Sequence, residues 1–346
     1  MTILNKSAWL LVLLLALIAS TSATAQSAAF TFTQMDVPGS AGTELDNING
    51  QGEIVGFFVD QSGRQHGVMV LHGVFTQLDF PGAMATRTVG LNNRGDVVGS
   101  FIDASGTQHG LTLENGTFRQ LDFPGARGTQ PEAINDQGVI VGGFTDSSGE
   151  LHGFLESQGT FTQFDFPGGT ETIAVGINNL GEIAGDFVDS AGVQRAFRRQ
   201  GGNFTQIDPP GSTSAFGFGL NVLGDIVGSF ADADGHGHGY LDDAGSFVQV
   251  DFPGAVSTDG NGINTQGFLV GDYFDAAGVE HGYFATRQVN HGMRRRNGAA
   301  SVLPSPTAVN KEAAPKNGPG SVAVSTVKER QRRLDESLVV KGPIVL

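Results

Sequence analysis

Histidine and aspartate recur in this chain at a fixed pitch, and these residue types are widely used for metal ligation and proton transfer. His66, His109, His152, His238 and His281 each open a His-Gly step, and Arg195 takes the same place in the remaining copy. Ahead of each lies an Asp-x-x-Gly turn, at Asp60, Asp103, Asp146, Asp189, Asp232 and Asp275. Asp at the first position and Gly at the fourth is ordinary β-turn chemistry. The same carboxylates and carbonyls are hard oxygen ligands of the kind calcium takes. One turn stands apart: Asp232-Ala233-Asp234-Gly235 offers two carboxylates two residues apart and runs into His236-Gly237-His238. Asp232, Asp234, His236 and His238 are therefore the candidate metal ligands, for Ca2+ through the acids or a transition metal through the imidazoles. No cofactor is expected beyond such an ion. Arg195, Arg198 and Arg199 form the one basic cluster of residues 26–286 and a candidate anion site. No nucleophile elbow, phosphate loop or zinc-protease motif is present, so no catalytic residue is named. A group repeated around a structure more often packs or hydrogen-bonds than reacts, because a reaction needs it once, beside a partner of another type.

These residues ride on a repeat of 43 residues. Asp-(Phe/Val/Pro)-Pro-Gly begins at Asp36, Asp79, Asp122, Asp165, Asp208 and Asp251, and an Asn recurs in register at Asn49, Asn92, Asn135, Asn178, Asn221 and Asn264. The Asn side chain suits a bond to backbone in the turn that follows it. Within one copy, short apolar runs separated by Gly, Asn and Asp predict four strands in an antiparallel meander. The strand beginning at Ile54, Val97, Ile140, Ile183, Ile226 or Leu269 carries two adjacent apolar residues. Neighbours on a strand face opposite ways, so both faces of the sheet must be covered. Six such sheets packed radially predict an all-β, six-bladed β-propeller. Phe32 to Asp36 is a lone extra copy of the Phe-Thr-x-x-Asp strand, while the last repeat lacks one. The N-terminal strand is thus expected to complete the last blade and remove an open edge. An open solenoid is the competing architecture, but it needs caps that the N-terminus does not offer.

Residues 1–25 read as a signal peptide, with Lys6, an apolar run from Trp9 to Ile18 and Ala23-Thr24-Ala25 before Gln26. Residues 26–286 form the expected propeller, and residues 287–346 a basic, disordered tail containing Arg294-Arg295-Arg296. The chain has no Cys, so no disulfide framework supports it after export. The body holds 8 Lys/Arg against 31 Asp/Glu, and the tail 11 against 4. So acidic a body argues against nucleic acid and suits cations or basic partners. No transmembrane segment is expected in the mature chain, and a monomer is expected.

Gly176-Ile177-Asn178-Asn179-Leu180-Gly181-Glu182-Ile183-Ala184-Gly185, followed by Arg195-Ala196-Phe197, resembles the HAF family of extracellular repeat proteins. The family signature His-Ala-Phe is here mostly His-Gly-(Phe/Leu/Val/Tyr). The resemblance spans residues 28–285 and implies a bacterial secreted or surface protein, extracellular or periplasmic. It carries over no catalytic residues. Sequence therefore points to an exported, non-enzymatic scaffold for surface or extracellular binding. A metal-dependent propeller hydrolase or lactonase with a site near the channel is the first alternative, and a structural envelope protein the second.

Overall fold

The computed structural model describes residues 24–26 and 29–287. The expected signal, apart from Thr24 and Ala25, and the expected tail beyond Arg287 lie outside the described residues. Within them, regular structure is entirely β.

The inner strands of six sheets are Gly42–Ile48, Ala85–Leu91, Gly128–Ile134, Thr170–Ile177, Ser214–Leu220 and Ser257–Ile263. They surround a central channel. Each leads outward through a second and a third strand; in the first blade these are Ile54–Val59 and Gln65–Leu71, with Val74–Leu78 outermost. Neighbouring strands pair antiparallel throughout, in sequence order within each of the first five blades. The strand order defines a six-bladed β-propeller.

Blade and sequence repeat are offset by one strand. The run leading to the Asp of each Phe-x-x-x-Asp segment is the outer strand of the preceding blade, and Asp-(Phe/Val/Pro)-Pro-Gly is the bend that carries the chain to the next inner strand. The sixth blade therefore runs out of chain after Glu280–Arg287. Phe30–Gln34 fills the vacancy, pairing Phe30 with Arg287 and Gln34 with Tyr283. Phe32 is fully buried there, with ring centroids 5.5 Å from Phe252 and 5.3 Å from Tyr283. Thr24–Gln26 adds a fifth strand on the same edge. Cleavage at the expected site after Ala25 would remove two of its three residues and leave Phe30–Gln34 as the edge, as an outer strand is in every other blade.

The two apolar columns of the second strand are buried, as expected: Val97, Val98, Ile183, Ala184, Ile226 and Val227 are all fully buried. They pack blade against blade; one cluster joins Ala133 and Val141 of the third blade to Ala174, Ile177 and Ile183 of the fourth. The Gly after them makes room, but for its own sheet rather than a neighbouring one. A Cβ on Gly99 would lie 2.0 Å from the Arg87 carbonyl, and one on Gly228 2.0 Å from that of Phe216. The cause is a β-bulge in every inner strand, such as the register shift between Thr88 and Gly90, which crowds the inner strand onto the second.

Candidate functional site

The recurrent His lies on the third strand of its blade, between two carboxylates. His66 Nδ1 is 2.8 Å from Asp79 Oδ2, at the end of the outer strand, and its Nε2 is 3.3 Å from Asp60 Oδ2, in the preceding turn. His109, His152, His238 and His281 sit between Asp103 and Asp122, Asp146 and Asp165, Asp232 and Asp251, and Asp275 and Asp36. A carboxylate only accepts, so a protonated imidazole donates to both and a neutral one to one. Arg195 fills the same seat with a permanent charge, its Nε 3.0 Å from Asp189 and its Nη1 3.1 Å from Asp208. An aromatic ring of the second strand backs the imidazole, as Phe58 does His66 at 5.1 Å. In four copies the ring of the connecting bend stacks on that aromatic, as Phe123 does on Phe144 at 3.6 Å. The arrangement ties third strand, turn and bend into one unit, and it recurs in every blade.

The turn Asp is held mainly by its own loop. The Ser105 hydroxyl first, then the Thr107 N–H, lower the Asp103 carboxyl to about 2. The Ser148 hydroxyl does the same for Asp146, and the His236 N–H for Asp232, each to about 2. Asp60, Asp189 and Asp275 are also lowered, led by the Ser62 hydroxyl, the Val193 N–H and the Val279 N–H.

The expected metal ligands are partly brought together. Oxygens of Asp232 and Asp234 and a nitrogen of His236 lie within 4.8 Å of one another, and so do ligand atoms of Asp146, Glu150 and His152. His238 reaches Asp232 Oδ2 at 3.3 Å, but its Nδ1 faces Asp251. Asp232 Oδ1 accepts from the N–H of Asp234 at 2.8 Å and of His236 at 2.9 Å, the same turn geometry as in the other five copies. Each arginine of the fourth blade has a partner: beside the Arg195 pairs, Arg198 donates to the Gly224 carbonyl and Arg199 lies 4.7 Å over Phe164. The Nε–H groups of Arg198 and Arg199 are buried without a hydrogen-bond partner.

The recurrent Asn does more than cap its own turn. Each Oδ1 accepts two backbone N–H groups of its loop, and each Nδ2 reaches the next blade. Asn49 donates to the Asn92 carbonyl, Asn92 to Asn135, Asn135 to Asn178, Asn178 to Asn221, Asn221 to Asn264, and Asn264 back to Asn49, at 3.0–3.2 Å. This closed ring surrounds a cavity of about 110 Å³ at the channel mouth. The residue after each Asn breaks the symmetry, with Gly50, Asn93, Asp136 and Asn179 on one side and Val222 and Thr265 on the other. Burial raises the Asp136 carboxyl, but the Asn93 side chain and N–H and the Asn179 amide outweigh it and leave it lowered.

Deeper in the bore the six bulged positions differ in charge and size: Asp46, Val89, Glu132, Val175, Phe218 and Asn261 line a constriction of about 20 Å³. Two residues before them on the inner strands stand Glu44, Arg87, Gln130, Ile173, Phe216 and Asp259. Acids gather where the sixth and first blades meet, and apolar side chains gather in the fourth and fifth. Arg87 is buried and bridges Glu44 at 3.1 Å and Asp46 at 3.0 Å. None of these channel residues was singled out in sequence. The signal available was a column, read at the repeat pitch, that varies between columns that do not.

No protein-family model matches the chain, and no curated protein matches it. Among solved structures it is similar to SapL1 lectin in complex with alpha-methyl fucoside, at 12% identity and TM-score 0.47, over 73% of this chain and 98% of the lectin. It is similar to the six-bladed β-propeller lectin of Aleuria aurantia at 8% identity and TM-score 0.44, over 72% of this chain and 93% of that one. TolB from Acinetobacter baumannii is similar at 10% identity and TM-score 0.48, over 68% of this chain and 64% of TolB. These likenesses concern the fold alone.

Proposed function

We propose that the chain is an exported, non-enzymatic propeller scaffold of the HAF repeat type, which binds an extracellular or envelope partner through the asymmetric mouth of its channel. One observation carries this reading. The repeated His, Asp and Asn are engaged in bonds that hold blades and turns, so the side chains that recur serve the ring. Side chains that differ from copy to copy line the channel. At the mouth, Asn93, Asp136 and Asn179 join donors and acceptors to a single carboxylate, beside Val222 and Thr265. With the acidic body behind it, this rim suits a basic side chain of a partner protein.

The test is surface-immobilised binding of lysine-rich and neutral peptides at two salt concentrations. The reading requires salt-sensitive binding of the basic peptide that weakens in Asp136→Asn. Equal binding by the variant moves the contact away from the mouth. The carboxylates of the bore favour the hydrolase or lactonase reading as the second. Turnover of ester or lactone substrates that is lost in Glu132→Gln would replace the scaffold reading with it.

A further inference from the structure

At each seam between blades, a residue of the second strand and one at the start of the third meet the inner strand of the next blade. These contacts are filled in different ways. Between the second and third blades, Gln130 Nε2 donates to Gln108 Oε1 at 3.0 Å. Between the third and fourth, the seam is apolar, with Ile173 and Leu151 both against Gly143. The fold itself therefore has no need of charge here. Between the sixth and first blades the equivalent residues are all acids, and carboxylate oxygens of Glu44, Asp272 and Glu280 lie within 4.8 Å of one another. Asp272 is 2% exposed and Glu44 9%.

A second observation points to a ligand. Asn261 is 5% exposed, and its Nδ2 donates to Asp272 Oδ1 at 2.8 Å and to the Leu45 carbonyl at 3.2 Å. Both partners only accept, so the amide orientation is fixed. Its Oδ1 is then a buried carbonyl oxygen with no hydrogen-bond partner. Buried acceptors without partners are rare, and one beside a carboxylate cluster calls for a cation or a water bound to one. Burial first, and then Asp259, Glu44 and Glu280, raise the Asp272 carboxyl well above the usual carboxylate range. A cation reverses that penalty.

We propose that Glu44, Asp272 and Glu280 bind a divalent cation of the oxygen-preferring class, calcium foremost, at the seam where the ring closes, with Asn261 orienting Asp272. Three carboxylates form a hard donor set with no sulfur or imidazole, which suits calcium over zinc or copper. The ion joins a blade from each end of the repeat body, so its binding free energy adds to ring closure. This site is distinct from the Asp232 turn, and it stands or falls separately from the partner contact at the channel mouth.

The probe is terbium, a calcium substitute whose emission is sensitised by nearby tyrosine. Two of the three tyrosines, Tyr273 and Tyr283, belong to the sixth blade. Titration of the whole chain should give tyrosine-excited emission that calcium competes away, and calcium should raise the thermal midpoint reversibly with chelator. Asp272→Asn and Glu280→Gln should each lose both effects, while Asp232→Asn keeps them. Asn261→Ala should weaken terbium binding by about 10–100-fold. In chelator, Asp272→Asn should melt no lower than the parent, because it removes a buried acid from among others. Should it fail to fold, the partly exposed Glu280→Gln supplies the same reading. Superimposable melts with calcium and chelator, or emission that follows Asp232 instead of Asp272, overturns the site and leaves a cluster of acids that share protons.

Discussion

Asn135→Ala and Asn264→Ala together test whether the ring is closed. Asn135 Oδ1 accepts the N–H groups of Gln137 at 3.1 Å and Val139 at 3.0 Å, and its Nδ2 donates to the Asn178 carbonyl at 3.2 Å. Asn264 makes the same three bonds, to Gln266 at 3.1 Å, Phe268 at 3.0 Å and, across the closure, the Asn49 carbonyl at 3.0 Å. A net hydrogen bond contributes about 0.5–1.5 kcal/mol, so each substitution should cost about 1.5–4.5 kcal/mol. Water reaches part of each turn, which places the value near the middle, at about 3 kcal/mol. Urea denaturation of both variants beside the parent gives the two numbers, provided the slopes agree. Equal losses mean that the sixth and first blades are joined as tightly as the third and fourth. A loss at Asn264 smaller than that at Asn135 by about 1 kcal/mol, the contribution of the one bond across the closure, would refute the closed ring.

Three further outcomes are expected. Phe32→Ala should cost about 3–5 kcal/mol in the same assay, because its buried ring packs the clasp; a surface-like cost would show the N-terminal strand to be undocked. His109→Arg should leave stability within about 0.5 kcal/mol, since Arg195 already spans the equivalent carboxylates, whereas His109→Leu should lose more; equal costs would mean that the seat is steric. Acid should weaken the fold through the turn carboxylates. Their pKa falls from 3.8 to about 2 in the folded state for Asp103, Asp146 and Asp232, so their contribution is complete above 3.8 and is lost as pH falls through about 2. Replacing Asp103 by Asn should flatten that part of the pH–stability curve, and an unchanged curve would assign acid sensitivity to other groups.

The architecture was legible because burial on both faces leaves a simple trace. Pairs such as Val97-Val98 and Ile226-Val227 repeat at one pitch, and the extra Phe32 strand announces the clasp. The site was less legible because its contacts cross blades. That His109 faces Asp122 follows only once the third and outer strands pair, with Leu111 opposite Gln120 and Gly110 opposite Leu121. The turn role of Asn135 could be read locally, but its bond to Asn178 depends on two turns standing side by side. Glu44, Asp272 and Glu280 come from opposite ends of the repeat body, and each stands in a column whose other members are mostly neutral. Asp232 drew attention for its crowded acids and imidazoles, yet the structure gives it the same loop bonds as its five counterparts.

The clasp also sets how the ring meets a pulling force. Phe30 pairs with Arg287, so the first residue of one strand lies opposite the last residue of the other. Tension between the segments before Phe30 and after Arg287 therefore loads the pairings one after another, from Phe30–Arg287 toward Gln34–Tyr283, as in opening a zipper. Had the two exits lain at opposite ends, the same bonds would share the load in shear. A propeller tethered through both flanks opens first at its clasp, and the five blades built from continuous chain are spared until it has gone.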